Sequence, residues 1–316
     1  MTRRLTQLVS YLAVSALVCA AWFASVARAE ITVSACPEGA EVKIDGELFT
    51  RYLTDVNGTP ALWPIIGPTG KPMTRAYPMS DDNPDERKDH PHHRSLWFTH
   101  GDVNGLSFWH RETIKHREFA KLEGGDRAVI VTRNDWIDPE GKPVCEDERT
   151  LAFGTDGKAR WIDFDITLKA IDKPVTFGDT KEGTFGVRVA GSMKVDAKQG
   201  GRIVNSLGQT DRETWGKSCP WVDYQGPVDG KTVGLAIFNH PSSFRFPSYW
   251  HVRTYGLFAA NPFGLHNFKG SSEEDGAWTV KPGEPMTLRY RVYLHLGDEK
   301  EGEVARAYAA YAKEEK

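Results

Sequence analysis

The sequence predicts an all-β fold, a large antiparallel β-sandwich of two sheets with a short C-terminal helix, and three observations predict it. Short segments of alternating polar and apolar residues recur from residue 41 to residue 295. Turn dipeptides such as Asp45-Gly46, Asp229-Gly230 and Pro282-Gly283 separate several of them. The one good helical stretch is Glu301 to Lys313, where Val304, Ala307, Tyr308 and Tyr311 keep one apolar face.

Taken in order, Val42 and Ile44 lead through Asp45-Gly46 into Leu48, Thr50 and Tyr52, a first hairpin. Ala128 to Thr132 is a strand by its β-branched content. Glu148 to Phe153 turns through Thr155-Asp156-Gly157 into Trp161, Asp163, Asp165 and Thr167, which alternate with Ile162, Phe164, Ile166 and Leu168. Gly186 to Ala190, Arg202 to Asn205, Val233 to Phe238, Tyr249 to Ala259 and Met286 to Leu296 are further strands. No internal repeat or low-complexity linker interrupts them, so residues 30–316 are expected to form a single β-sandwich domain. Ile65 to Asp89 is the exception. Gly67, Pro68, Gly70, Pro72, Pro78 and Pro84 leave little alternation there, and a loop of that length in a compact domain is usually functional or disordered.

The N-terminus reads as a signal peptide over residues 1–29: Arg3 and Arg4, an apolar stretch from Leu8 to Phe23, then Ala27-Arg28-Ala29 before Glu30. The protein is therefore expected to be exported, periplasmic or secreted. Cys19 follows Val18, where a lipoprotein signal wants Gly or Ala, which makes lipid anchoring the weaker reading. After Glu30 no apolar run approaches the ~20 residues that span a bilayer. Cys36, Cys145 and Cys219 allow at most one disulfide. A net charge of -3 with both signs interspersed leaves no basic stripe for nucleic acid. Ten Trp, several beside His, Asn and Arg, suit a carbohydrate, whose faces stack on indole while its hydroxyls need polar partners.

Residues 89–109 read DHPHHRSLWFTHGDVNGLSFW and hold four of the ten histidines, His90, His92, His93 and His100, with Arg94, Trp97, Asp102, Asn104 and Trp109. In an extended Arg94–Thr99, Trp97 and Thr99 share one face and Arg94, Leu96 and Phe98 the other. An imidazole here can serve as general acid or base, oriented by Asp102 or Asp89, with Arg94 on a hydroxyl or carboxylate. Two readings compete with this. His90 and His92 share a face and could chelate a divalent metal with Asp89 or His100, although no spacing of high specificity such as HExxH is present. Alternatively, the histidines cap strand ends and satisfy carbonyls.

Glu182 and Arg188 in KEGTFGVRVA form either a plain ion pair or, for Glu182, the carboxylate partner of the histidines. Arg188 and Phe185 must lie on different faces of that strand. His240 ends the apolar run Val233–Phe238, and Tyr249, His251, Arg253 and Tyr255 give the next strand a polar-aromatic face. No nucleophile elbow, phosphate loop, dinucleotide fingerprint or CxxC pair is present.

With the block at residues 89–109 and the segments KEGTFGVRVA, WVDYQG, GLAIFNHP and YGLFAANPFG, the chain resembles a bacterial family of exported proteins labelled methane oxygenase PmoA, over nearly its whole mature length. Particulate methane monooxygenase subunits are embedded in membranes, and this sequence has no spanning segment after its leader, so methane oxidation does not follow. The resemblance implies instead a fold like the galactose-mutarotase supersandwich. Mutarotases pair a central His with a Glu on a late strand. Met286–Leu296 offers no Glu, and Glu284 precedes it in a turn, so that pair is not carried over.

The expected function is a carbohydrate-active protein that binds a sugar or sugar derivative and performs His-assisted proton transfer, as in epimerisation or β-elimination. His93, His100, Glu182 and His240 are the acid–base candidates. His92, Arg94, Trp97, Asp102, Asn104, Trp109, Arg188, His251 and Arg253 are candidates for holding the ligand. The alternatives are a noncatalytic carbohydrate-binding protein and a metal-dependent hydrolase or oxygenase built on His90 and His92. No cofactor is expected beyond that divalent metal.

Overall fold

Strands with one apolar face bury it, and two such faces closing on each other make a sandwich. The computed structural model describes residues 29–83 and 86–316; apart from Ala29, the expected leader lies outside the described residues. β1 (Ile31–Cys36), β2 (Gly39–Ile44), β3 (Glu47–Leu53), β4 (Ala61–Leu62) and β5 (Leu96–His100) begin the first sheet. β6 (Thr113–Glu123), β7 (Ala128–Ile137), β8 (Pro143–Thr155) and β9 (Arg160–Ala170) form a meander in the second. After β10 (Val175–Phe177), β11 (Gly183–Arg188) returns to the first sheet, while β12 (Arg202–Asn205), β13 (Trp221–Val228) and β14 (Lys231–Asn239) rejoin the second. The hairpin β15 (Tyr249–Val252) and β16 (Leu257–Asn261) completes the first sheet. A short helix α1 (Leu265–Lys269), β17 (Trp278–Val280) against β10, β18 (Met286–Leu296) and helix α2 (Val304–Tyr311) follow.

The result is two eight-stranded antiparallel sheets, ordered β1-β2-β3-β4-β5-β11-β16-β15 and β12-β13-β14-β18-β9-β8-β7-β6. Ile162, Phe164, Ile166 and Leu168 of β9 face inward, as their alternation predicts, and meet Leu96, Phe98, Phe185, Val187 and Phe258 of the first sheet in one core. Phe185 stacks on Tyr290 at 4.7 Å and lies 5.0 Å from Phe164. The core holds a fully buried ion pair. Arg149 donates Nε and Nη2 to Asp147 at 3.0 and 2.9 Å, and the same carboxylate accepts from Asn134 and Trp136 at 2.6 and 2.8 Å. That burial is tolerable because the carboxylate is fully engaged.

The expected two-sheet sandwich with its C-terminal helix is the fold found. Two details differ. The strand expected over Tyr249–Ala259 is a hairpin, reversing at Gly256, whose φ of +102° favours glycine. The helix starts at Val304 because Glu303 takes φ 50°. Within the limit of at most one disulfide, Cys36 on β1, Cys145 on β8 and Cys219 before β13 are all free thiols, which is no departure from the expectation. β6 escaped the sequence reading because it is solvent-facing over most of its length, and β13 because it is buried on nearly every residue, so neither alternates cleanly. Among the described residues no helix is long and apolar enough to cross a membrane.

The pairing of Gly186 with Trp97 positions the functional face. The indole lies over the glycine so closely that a Cβ there would sit 2.7 Å from Trp97 Cζ2. We expect Gly186→Ala to cost about 1–3 kcal/mol by overpacking, read as a drop in thermal midpoint of several degrees. Gly191→Ala, where a Cβ meets open space, is the control and should leave the midpoint within a degree or so. Equal midpoints for the two variants would refute the close approach.

Candidate functional site

Strand alternation gives the first sheet a second face, turned away from the core. Trp97 on β5, Gly186 and Arg188 on β11, Leu257 and Ala259 on β16, and His251 on β15 share it by register. Trp109 packs onto this face from the following loop, 5.4 Å from Trp97. Phe185 points the other way, so the expected separation of Arg188 from Phe185 holds.

Onto this face folds the histidine loop, and Arg75, from the Pro- and Gly-rich segment before it, fixes its shape. The buried guanidinium donates six hydrogen bonds: to the carbonyls of Tyr77, Arg87, Asp89, His90 and His93 and to Asp89 Oδ1, at 2.7–3.3 Å. The loop is a turn, with His90 at φ 47°, and not the extended chain assumed from sequence. His92 and His93 therefore do not point apart. Their rings meet edge to face at 4.5 Å, His90 stacks on His93 at 4.7 Å, and His110 joins His92 at 4.5 Å. Tyr255 stacks on His90 at 5.6 Å, and Trp97 lies beneath His93 at 5.6 Å.

Hydrogen bonds assign the tautomers. Arg188 Nη1 can only donate, and it reaches His93 Nδ1 at 3.2 Å, so Nδ1 accepts and Nε2 carries the proton. Burial, with His92 and Arg188 nearby, holds His93 neutral far below its ordinary range. His251 donates from Nδ1 to the Lys181 carbonyl at 2.8 Å, which leaves Nε2 as an acceptor. Burial lowers His251 to about 4, opposed by that bond and by the Glu182 carboxylate. Burial and then His110 push His92 down to about 3, and burial lowers His110 against the pull of Glu182. Burial raises the Asp89 carboxyl, but Arg188, His90 and Arg75 outweigh it and hold it low.

Of the residues expected from sequence, His90, His92, His93, Trp97, Trp109 and Arg188 come together, with His251 and Glu182 at the margin. Arg253 lines an adjoining cleft of about 480 Å³ with Arg212, Trp215 and Tyr255. The others are placed elsewhere. His100 falls on the core face of β5, fully buried between Phe177 and Phe263, with Nε2 donating to the Gly178 carbonyl at 2.8 Å. His240 lies on the second sheet, against Tyr311 and the Glu314 carbonyl. Asp102 and Asn104 shape a turn, accepting from Gly105 N and Thr176 N. Arg94 is buried on the carbonyls of Val56, Asn57 and His92, a fastening role. The plain Glu182–Arg188 pair is absent: Glu182 meets Lys181 at 3.2 Å and Arg188 meets Asp89 at 3.2 Å. As for a metal, no three His, Cys, Asp or Glu side chains among the described residues are arranged to hold one ion.

Sequence reasoning missed His110, one residue beyond the histidine block, and Arg75, which sits in a stretch with no periodicity to give it a partner. The three donors Trp97 Nε1, Trp109 Nε1 and Arg188 Nε are buried without an acceptor among the described residues. Trp97 and Trp109 are fully buried beneath the histidines and support the His93 ring from below.

A family model described as a family of unknown function, DUF6807, matches residues 39–309. It lends no support to the methane-oxygenase label. No curated protein matches the chain. Among solved structures, a galactose mutarotase-like protein from Clostridium acetobutylicum is similar at 12% identity, covering 84% of this chain and 98% of its own, with a TM-score of 0.38. A galactose mutarotase related enzyme from Lactobacillus acidophilus is 12% identical over 84% of this chain and 95% of its own, with a TM-score of 0.27. An α-galactosidase from Geobacillus stearothermophilus is 11% identical over 85% of this chain and 40% of its own, with a TM-score of 0.36. The sandwich assignment rests on the strand order above and not on likenesses of this size.

Two outcomes follow from this geometry. Arg75→Lys keeps the charge but cannot span five carbonyls and a carboxylate, and should cost about 3–5 kcal/mol in denaturant unfolding; a loss under 1 kcal/mol would remove Arg75 as the organiser. His100 is held at about 4 by burial and His251 at about 4. The unfolded chain takes up these protons near pH 6.5 and the native state does not, so stability is complete above 6.5 and lost as pH falls toward 4. Each buried imidazole removes about 1.4 kcal/mol per pH unit in that window. His295, raised by Asp223 against its own burial, is protonated throughout that window and does not offset the loss. A thermal midpoint flat between pH 6.5 and 4.5 would contradict the assignment.

Proposed function

The chain belongs to the DUF6807 family, a family of unknown function, and we propose that it is an exported carbohydrate-active protein in which the His92–His110 pair and Glu182 move a proton on a bound sugar or sugar derivative. One observation carries the reading: His90, His92, His93 and His110 converge on one spot of the sheet's outer face, backed by the buried Trp97 and Trp109 and flanked by Tyr255. Exposed imidazoles beside the partly exposed Tyr255 ring suit a ligand that has apolar faces and many hydroxyl oxygens.

The roles follow from the titration order. His93 has its Nδ1 occupied by Arg188 and stays neutral, so it is a positioning residue that offers Nε2–H. His92 and His110 are neutral at pH 7, and only one can take a proton at a time at a ring separation of 4.5 Å. His110, the exposed member, is the general base, and the Glu182 carboxylate stabilises the imidazolium as it forms. A proton taken from a carbon next to a carbonyl or carboxylate and returned to the opposite face is an epimerisation. The same proton kept while a β-substituent leaves is an elimination.

The test is deuterium wash-in from D₂O, followed by NMR on a panel of neutral, keto and acidic sugars. Wash-in should appear for one class, fall about 100-fold or more in His110→Ala, fall less in Glu182→Gln, and decline as pH drops through the lowered histidine range. Saturable binding with no wash-in and no product would make the protein a binding module instead. Absence of binding across the panel would refute the carbohydrate reading.

A further inference from the structure

The positive charge around Arg188 exceeds the negative charge that faces it. Asp89 is the only carboxylate within ion-pair distance of Arg75 and Arg188 among the described residues, and a single oxygen, Oδ1, serves both, at 2.7 and 3.2 Å. Its other oxygen is taken by Arg87 at 3.2 Å. Both inner guanidiniums are 3% exposed. Arg149, another deeply buried arginine, has Asp147 as an ion-pair partner to itself through two oxygens, and Arg94 is satisfied by three carbonyls. Arg188 must make do with half a share, the His93 nitrogen and the face of Tyr255 at 4.8 Å, and its Nε has no acceptor. Burial and the neighbouring Arg75 lower it to about 10. An under-neutralised buried guanidinium is costly, and the cost is removed when a second anion arrives.

Space for that anion is at hand. A cavity of about 530 Å³ opens beside Arg188 and is lined by Arg75, Arg87, Lys194, Thr74 and Ser192, with Glu86 as its one carboxylate among the described residues. Glu86 is already engaged by the backbone N–H groups of Ala76 and Tyr77, at 3.1 and 2.7 Å. Among the described residues Lys194 has no carboxylate within ion-pair distance. Its stem lies against Gly256, where a side chain would meet Cγ at 3.0 Å.

We infer that this cavity is an anion subsite in which Arg188 and Lys194 hold a carboxylate or sulfate, so that the substrate class is an acidic sugar. The inference rests on the carbohydrate reading for the word sugar but not for the word acidic. Arg188 lines the cavity and also meets His93, so the subsite adjoins the histidine cluster.

The experiment is calorimetric titration of the whole protein at fixed ionic strength, using D-glucuronate against D-glucose, D-galacturonate against D-galactose, the 6-sulfates of both neutral sugars, and inorganic sulfate. At least one acidic sugar should bind about tenfold or more tightly than its neutral counterpart. Lys194→Ala should remove about that factor for the acidic member alone, and Arg188→Lys should do the same or more. Preference for the uronate or for the 6-sulfate identifies which anion the subsite takes. Neutral and acidic sugars binding alike, with Lys194→Ala altering neither, would overturn the anion subsite and leave the carbohydrate reading standing. Saturable sulfate binding that Lys194→Ala abolishes, with no sugar binding, would uphold the subsite and overturn the carbohydrate reading. No binding by any of these probes would overturn both. Lys194 is partly exposed, so Lys194→Ala should fold, and an unchanged thermal midpoint confirms that its effect is local.

Discussion

The guanidinium of Arg75 is the constraint on which the histidine site depends. A turn carrying His90, His92 and His93 exposes several carbonyls that no strand can satisfy, and one planar five-donor group reaches them together with Asp89. The turn in turn brings three imidazoles that an extended chain would have spread over two faces into ring contact. Asp89, held by Arg75, is then positioned to meet Arg188 on the sheet, so loop and strand are joined through one carboxylate.

The sheet supplies rigidity and an empty place. Gly186 lets Trp97 lie flat on the outer face, Trp97 supports His93, and the stack continues through His90 to Tyr255. The rigid strands hold these rings from below while the exposed His110 approaches from the loop after Trp109. The same strands bury Phe98, Phe185 and Phe258 on their other face, so the site costs the core nothing.

Charge separates the two faces functionally. In the core, Asp147 and Arg149 neutralise each other in full, and the Asp147 carboxylate accepts further hydrogen bonds from Asn134 and Trp136. On the outer face, three arginines divide one aspartate. The buried arginine of the core is paired completely, whereas Arg188 on the outer face shares its carboxylate beside an open cavity.

The sequence by itself determined the sandwich, the strands β9 and β18, the two faces of β5, and the chemical character of the outer face, because alternation with period two is written residue by residue and forces burial. It also marked residues 89–109 as exceptional. What it could not decide was which histidines meet. His100 shares the histidine block and went into the core because its position on β5 has inward parity. His240 looked equivalent and lies on the other sheet. His110 stood just outside the block and joined it through a loop whose path has no periodicity. Those outcomes, like the sharing of Asp89 by Arg75 and Arg188, arise from contacts between segments tens of residues apart, and only the tertiary structure brings those segments together.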